Sequence, residues 1–215
     1  MKNAACQELT SWTEKEKKFF NRLDSPIKIQ YYLNQIPYNP HYGSRSPRCI
    51  IREGKAHCFE GAIFAAAALR MIGHKPLLLD LEASANDDDH VLAVFKERGC
   101  WGAIGKSNFT VLRFREPVYR TPRELTMSYF DVFFNSICEK TIRRYSHPLN
   151  LSQFDHLNWM TTEEDLAYIG DRLNEIKHCV VLTPTMIRHL TLADPDLVKA
   201  GLLGANKAGL YKPKK

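Results

Sequence analysis

No two of the six cysteines (Cys6, Cys49, Cys58, Cys100, Cys138, Cys179) make a C-x-x-C pair, and none stands at zinc-ligand spacing. That scatter argues against a metal cluster and against a disulfide framework, and it reads as reduced thiols. No apolar run approaches the ~18 residues that a membrane span requires. The first twelve residues include Lys2, Gln7 and Glu8 and hold no apolar stretch of the kind a secretory leader carries. The expectation is a cytoplasmic protein with no membrane contact. Low-complexity tracts and internal repeats are also missing, which argues against disorder and solenoids.

What is present is an ordinary globular composition, 44% hydrophobic and 25% charged over 215 residues. Such a length accommodates one full core, or a core with an extension. The net charge of +6 invites a nucleic-acid reading, but the basic residues are dispersed. Lys15, Lys17 and Lys18 alternate with Glu14 and Glu16 as on a solvated helix face, and Lys212, Lys214 and Lys215 form a short basic tail. Without an aromatic-basic strand pattern or a recognition-helix motif, nucleic acid is not the expected partner.

Helix signals open the chain. Thr13 and Glu16 have capping-box spacing ahead of a helix expected over residues 13–23, and Ser25-Pro26 is an N-cap and N1 pair ahead of one over 25–34. Residues 37–47 lack any period and form a loop. Residues 58–71 are alanine-rich and apolar on nearly every side, and Gly73 follows, the pattern of a buried central helix. A buried strand is expected over 76–81, a polar loop over 84–89, and strands over 90–96 and 100–104 joined by a turn centred near Arg98. Further helices are expected over 122–134, over 161–177 and from Thr183, so that the last third is mainly helical.

Cys58 is placed by this pattern at the first turn of the central helix, where free backbone N–H groups and the helix dipole favour a thiolate and can serve a developing oxyanion. His90 opens a strand behind the run Asp87-Asp88-Asp89, three acids that favour its protonated form. A thiol and an imidazole so placed point to nucleophilic acyl transfer, whereas a lone free cysteine would read as a small core hydrophobe. A turn near Arg98 pairs residues whose numbers sum to 196 or 197, which sets His90 opposite Lys106 or Ser107. An orienting group for the ring N–H must accept a hydrogen bond, so a lysine is unsuitable; Asn108 is favoured, with Ser107 second. Tyr42, His57, Trp101 and Ser107 are candidate substrate contacts. Cys138 with His147 and Cys179 with His189 are weaker pairings, since neither thiol starts a helix.

In this order of features the chain resembles the transglutaminase-like superfamily of papain-fold cysteine enzymes, in a bacterial branch. The resemblance rests on Gly54 then Cys58, the alanine-rich helix ending Leu69-Arg70-Met71-Ile72-Gly73, the strand resuming at Pro76 and His90 opening the next one, and it spans residues 25–124. It implies an α+β fold whose nucleophile-bearing central helix packs on an antiparallel sheet, with Cys58 as nucleophile and His90 as base. The expected organisation is a core over 1–138 and a mainly helical extension over 139–215. That family usually places an aspartate after a tryptophan on the following strand, whereas residues 101–108 hold no acid, leaving Asn108 as the substitute. The expected activity is cysteine-dependent acyl transfer on a peptide or protein amide, as hydrolase or transferase, with no metal or organic cofactor. The alternative is a weak or inactive relative that binds peptides or proteins.

Overall fold

A computed structural model describes residues 12–41 and 43–213. Among these residues four helices lead: α1 (Glu14–Phe20), α2 (Pro26–Gln35), α3 (Pro47–Glu53) and α4 (Cys58–Met71). Seven strands follow, β1 (Leu77–Ala83), β2 (His90–Glu97), β3 (Cys100–Ile104), β4 (Arg115–Tyr119), β5 (Ile142–Ser146), β6 (Leu149–Asn150) and β7 (His178–Val180). Among and after the later strands lie α5 (Pro122–Met127), α6 (Ala167–Glu175), α7 (Pro184–Arg188) and α8 (Pro195–Gly201).

The expected capping box forms at α1: Thr13 N–H donates to Glu16 Oε2 at 2.7 Å, and Glu16 N–H donates to Thr13 Oγ1 at 3.3 Å. Ser25 occupies the N-cap of α2, although its side chain makes no capping bond. Gly54, at φ +64°, ends α3 in the left-handed region that glycine adopts without strain, and the chain then turns into α4.

The strands form one open antiparallel sheet in the order β4-β3-β2-β1-β5-β7, with β6 also paired to β1. Arg98 (φ +50°) and Gly99 (φ +82°) make the two-residue turn between β2 and β3. Ala93 faces Ile104 across this hairpin, in agreement with the expected register. Side chains of β2 alternate between two apolar layers. Val91, Ala93 and Phe95 join the cluster that contains α1, α2 and α4, whereas Leu92 and Val94 face the layer of Leu125, Tyr129 and Phe133. The molecule is therefore α+β, with its alanine-rich helix laid against an antiparallel sheet. Ala65 to Ala68 are fully buried there, because only a methyl-sized side chain allows helix and sheet to approach so closely.

Several expectations need correction. The loop expected over 37–47 is followed at once by a helix that no signal announced, α3, with Pro47 at N1. The helix expected over 122–134 stops at Met127 and resumes only as a single 3₁₀ turn, Phe130–Val132. The one expected over 161–177 begins at Ala167. Most consequentially, the stretch expected as a helical extension supplies three strands, and β5 pairs directly with the central β1.

Candidate functional site

Cys58 is the first residue of α4, with His57 as its N-cap and Glu60 at the third helical position. Glu60 is fully buried and accepts from His57 N–H at 3.1 Å, from Asn39 Nδ2 at 3.2 Å and from Arg45 Nε at 2.7 Å. Arg45 also pairs with Glu53. These bonds tie the 39–45 loop to the start of α4, and Arg45 holds the Glu60 carboxyl below its ordinary value against the opposing effect of burial.

The thiol faces a cleft of about 590 Å³, whose walls come from the loop before α4, the 87–91 strand entry, residues 107–109 and residues 208–211. The thiol donates to the Asp89 carbonyl at 3.9 Å, while the Val91 and Phe59 backbone and the Tyr38 hydroxyl act to favour its anion. Burial outweighs them and, with the charge of Asp88, pushes the Cys58 thiol up to about 11. The helix start was expected to lower that value; removal of the sulfur from water is the larger effect here.

His90 lines the same cleft and is 4% exposed. Its Nε2–H donates to the Leu112 carbonyl at 2.9 Å, which leaves Nδ1 as the unprotonated nitrogen. Burial, reinforced by the charge of Arg115, lowers the imidazole to about 4. The expectation that the neighbouring acids would protonate the ring is thereby overturned. No hydrogen bond joins Cys58 to His90 among the described residues. His90 shares the parity of Leu92 and Val94, so its ring leaves the strand on the side away from α4.

Asn108 does not hold the imidazole. Its amide is bound in both senses to residue 206, accepting from Asn206 N–H at 2.7 Å and donating to the Asn206 carbonyl at 2.8 Å. Leu112, a backbone acceptor that side-chain patterns cannot reveal, takes the place expected of it. Ser107 lines the cleft but accepts from Phe109 N–H at 3.0 Å. Lys106 turns inward, where its ammonium donates to the carbonyls of Leu33 and Ile36 at the end of α2. His57 lines the cleft, with Nε2 bonded to the Gly43 carbonyl. Trp101 is not part of the lining; it packs on the opposite apolar layer beneath Lys96. Tyr42 lies outside the described residues. The weaker pairings are rearranged as well: Cys179 meets His147, at 3.6 Å, rather than His189.

Tyr38 is the functional candidate the sequence did not disclose, since it sits in an aperiodic loop twenty residues before the thiol. A bridge between Tyr38 and Ala56 delivers it to the site. No protein-family model matches the chain, and no curated protein matches it significantly.

Proposed function

We propose that the protein is a thiol-dependent acyl-transfer enzyme of transglutaminase-like type that acts on an amide or peptide bond. The observation that carries this reading is Cys58 at the first position of a buried helix, lining one cleft with Tyr38 and His90. Groups that favour a thiolate also suit the oxyanion formed one bond away, because both are anions at nearly the same place. The cleft's volume lies within the range of about 300–1,000 Å³ common to ligand sites.

In this reading the resting thiol and imidazole are both neutral, and proton transfer accompanies attack. For attack the His90 ring must turn from its place on the side of the sheet away from α4 and bring Nδ1 to the thiol; the Cys58 proton then passes to Nδ1 as the S–C bond forms, and the carbonyl π pair moves to oxygen. Collapse of the tetrahedral adduct breaks the C–N bond, and the amine leaves with the proton from Nδ1. Water or a second amine then cleaves the thioester. A panel of fluorogenic amides and peptides tests the assignment: turnover lost in Cys58→Ala and reduced at least about a hundredfold in His90→Ala supports it. Undiminished turnover in Cys58→Ala overturns it.

A non-catalytic peptide-binding cleft is the second reading. It is favoured by the commitment of His90 to Leu112 and of Asn108 to residue 206. Binding of peptides with neither turnover nor a thioester would select it.

A further inference from the structure

The described residues facing the Cys58 cleft include four aspartates, Asp87, Asp88, Asp89 and Asp171, and neither a lysine nor an arginine. The chain as a whole carries a net charge of +6. The cleft thus opposes the sign of the molecule around it. Two of these acids are fixed by the fold, Asp87 by the Thr141 hydroxyl at 2.5 Å and Asp89 by Ala83 N–H at 2.7 Å. The carboxylates of Asp88 and Asp171 have no hydrogen-bond or ion-pair partner among the described residues. Asp88 adjoins Asp89, whose carbonyl accepts from the Cys58 thiol at 3.9 Å, and it lines the cleft together with Cys58 and Tyr38.

Two further features belong to the cleft. His90, nine-tenths buried, is among its lining residues, and its Nδ1 has no hydrogen-bond partner among the described residues. In addition, a piece of polypeptide already forms one wall. Beyond the Asn108 pairing, Asn206 Nδ2 donates to the Tyr38 carbonyl at 3.2 Å and Gly209 lies against the Tyr38 ring. Tyr211 closes the far side by donating to the Ala85 carbonyl at 3.2 Å. This wall segment is itself basic, with Lys207 within it and Lys212 beside it.

We propose that the cleft selects a polypeptide segment bearing lysine or arginine side chains, with Asp88 and Asp171 as the groups that receive the cations. The proposal rests on the reading that this cleft is the working site and names the substrate class of that site. Carboxylates without partners retain their full attraction for an incoming cation, and low-dielectric walls concentrate it. A bound cation would also relieve the opposition that Asp88 presents to a thiolate, so a basic substrate helps to activate its own nucleophile.

The test uses full-length Cys58→Ala protein and two fluorescein-labelled hexapeptides, one alternating Ala with Lys and one alternating Ala with Glu, read by fluorescence anisotropy at 50 mM salt. The lysine peptide is expected to bind at least tenfold tighter, and the preference should shrink at least fivefold in Asp88→Asn/Asp171→Asn and on raising salt to 500 mM. Both aspartates are surface residues, so the double variant retains the fold. Equal binding of the two peptides, or a preference unchanged in the double variant, overturns the proposal. Because Cys58 is absent, the result is independent of thiol chemistry. A lysine preference without turnover elsewhere removes the enzyme reading alone, and turnover without a lysine preference removes this inference alone.

Discussion

Around Cys58 the balance of individual groups can be tested one at a time. Tyr38→Phe deletes a donor that favours the thiolate, and Asp88→Asn deletes a charge that opposes it. The expected outcome is opposite in sign: the rate of Cys58 alkylation by iodoacetamide at pH 8, read by peptide mass spectrometry, falls several-fold in Tyr38→Phe and rises several-fold in Asp88→Asn. Equal rates in both variants would show that burial alone governs the thiol. His90 makes a separate, thermodynamic prediction. An imidazole takes its proton at about 6.5 when unfolded but only at about 4 in the fold. The unfolded state therefore binds more protons as the pH drops through that window, and stability present above pH 6.5 is lost on the way to pH 4. For this nearly inaccessible side chain the loss is about 3 kcal/mol at most. Urea unfolding of His90→Gln and the parent at pH 7 and pH 4.5 should show the parent losing more. Equal losses in the two proteins would mean that the ring is not held neutral.

The elements carry their own arithmetic. Within α4, Gly61 is an apparent weakness, since alanine in a helix interior is more favourable by about 0.5–1 kcal/mol. Yet a Cβ at residue 61 would lie 2.2 Å from Lys106 Cβ, in a place closed by the buried lysine's stem. Overpacking of this kind costs about 1–3 kcal/mol, so the clash prevails: Gly61→Ala should lower the denaturant midpoint, and a raised midpoint would contradict the packing described. The hydrophobic pattern shows why some elements were legible in the sequence and others were not. The central helix, the β2–β3 hairpin and even its pairing could be read because period, turn residues and caps agree there. By contrast β5, β6 and β7 are short, and the residues of β5, Ile142-Arg143-Arg144-Tyr145-Ser146, carry two arginines. Their strand identity comes from pairing with β1 and with each other, which is tertiary information. The helix expected over 161–177 had a plausible hydroxyl and acidic start, but Leu166 is buried and its backbone N–H is bound to Ser44, so the chain turns before the helix begins.

At the scale of the whole molecule, Cys58, His90, His57, Ser107 and Asn108 were legible as residues of one cleft, whereas Trp101 lies outside it and the way these side chains face one another was not legible. Cys58 and His90 were legible because each begins a strongly patterned element. Their partners were not: Leu112 contributes a backbone carbonyl, Tyr38 arrives from a loop, and residues 206–211 return from the far end of the chain. Asn108, chosen for its chemistry and its place opposite His90, is claimed by that returning segment. The charge distribution is similarly a property of the folded molecule, since an acidic cleft in a basic protein emerges only when residues 87–89 and 171 meet.

The most direct measurement of the central claim is a search for the thioester itself. Protein is mixed with an activated acyl donor such as p-nitrophenyl acetate at pH 7, quenched in acid within seconds, and mapped by intact and peptide mass spectrometry, with Cys6, Cys49, Cys100, Cys138 and Cys179 serving as internal references. The account predicts an acyl group on Cys58 in preference to the other five thiols, discharged by hydroxylamine and formed far more slowly in His90→Ala. Acylation spread over the thiols according to their exposure, or a Cys58 adduct that forms equally fast without His90, would contradict it.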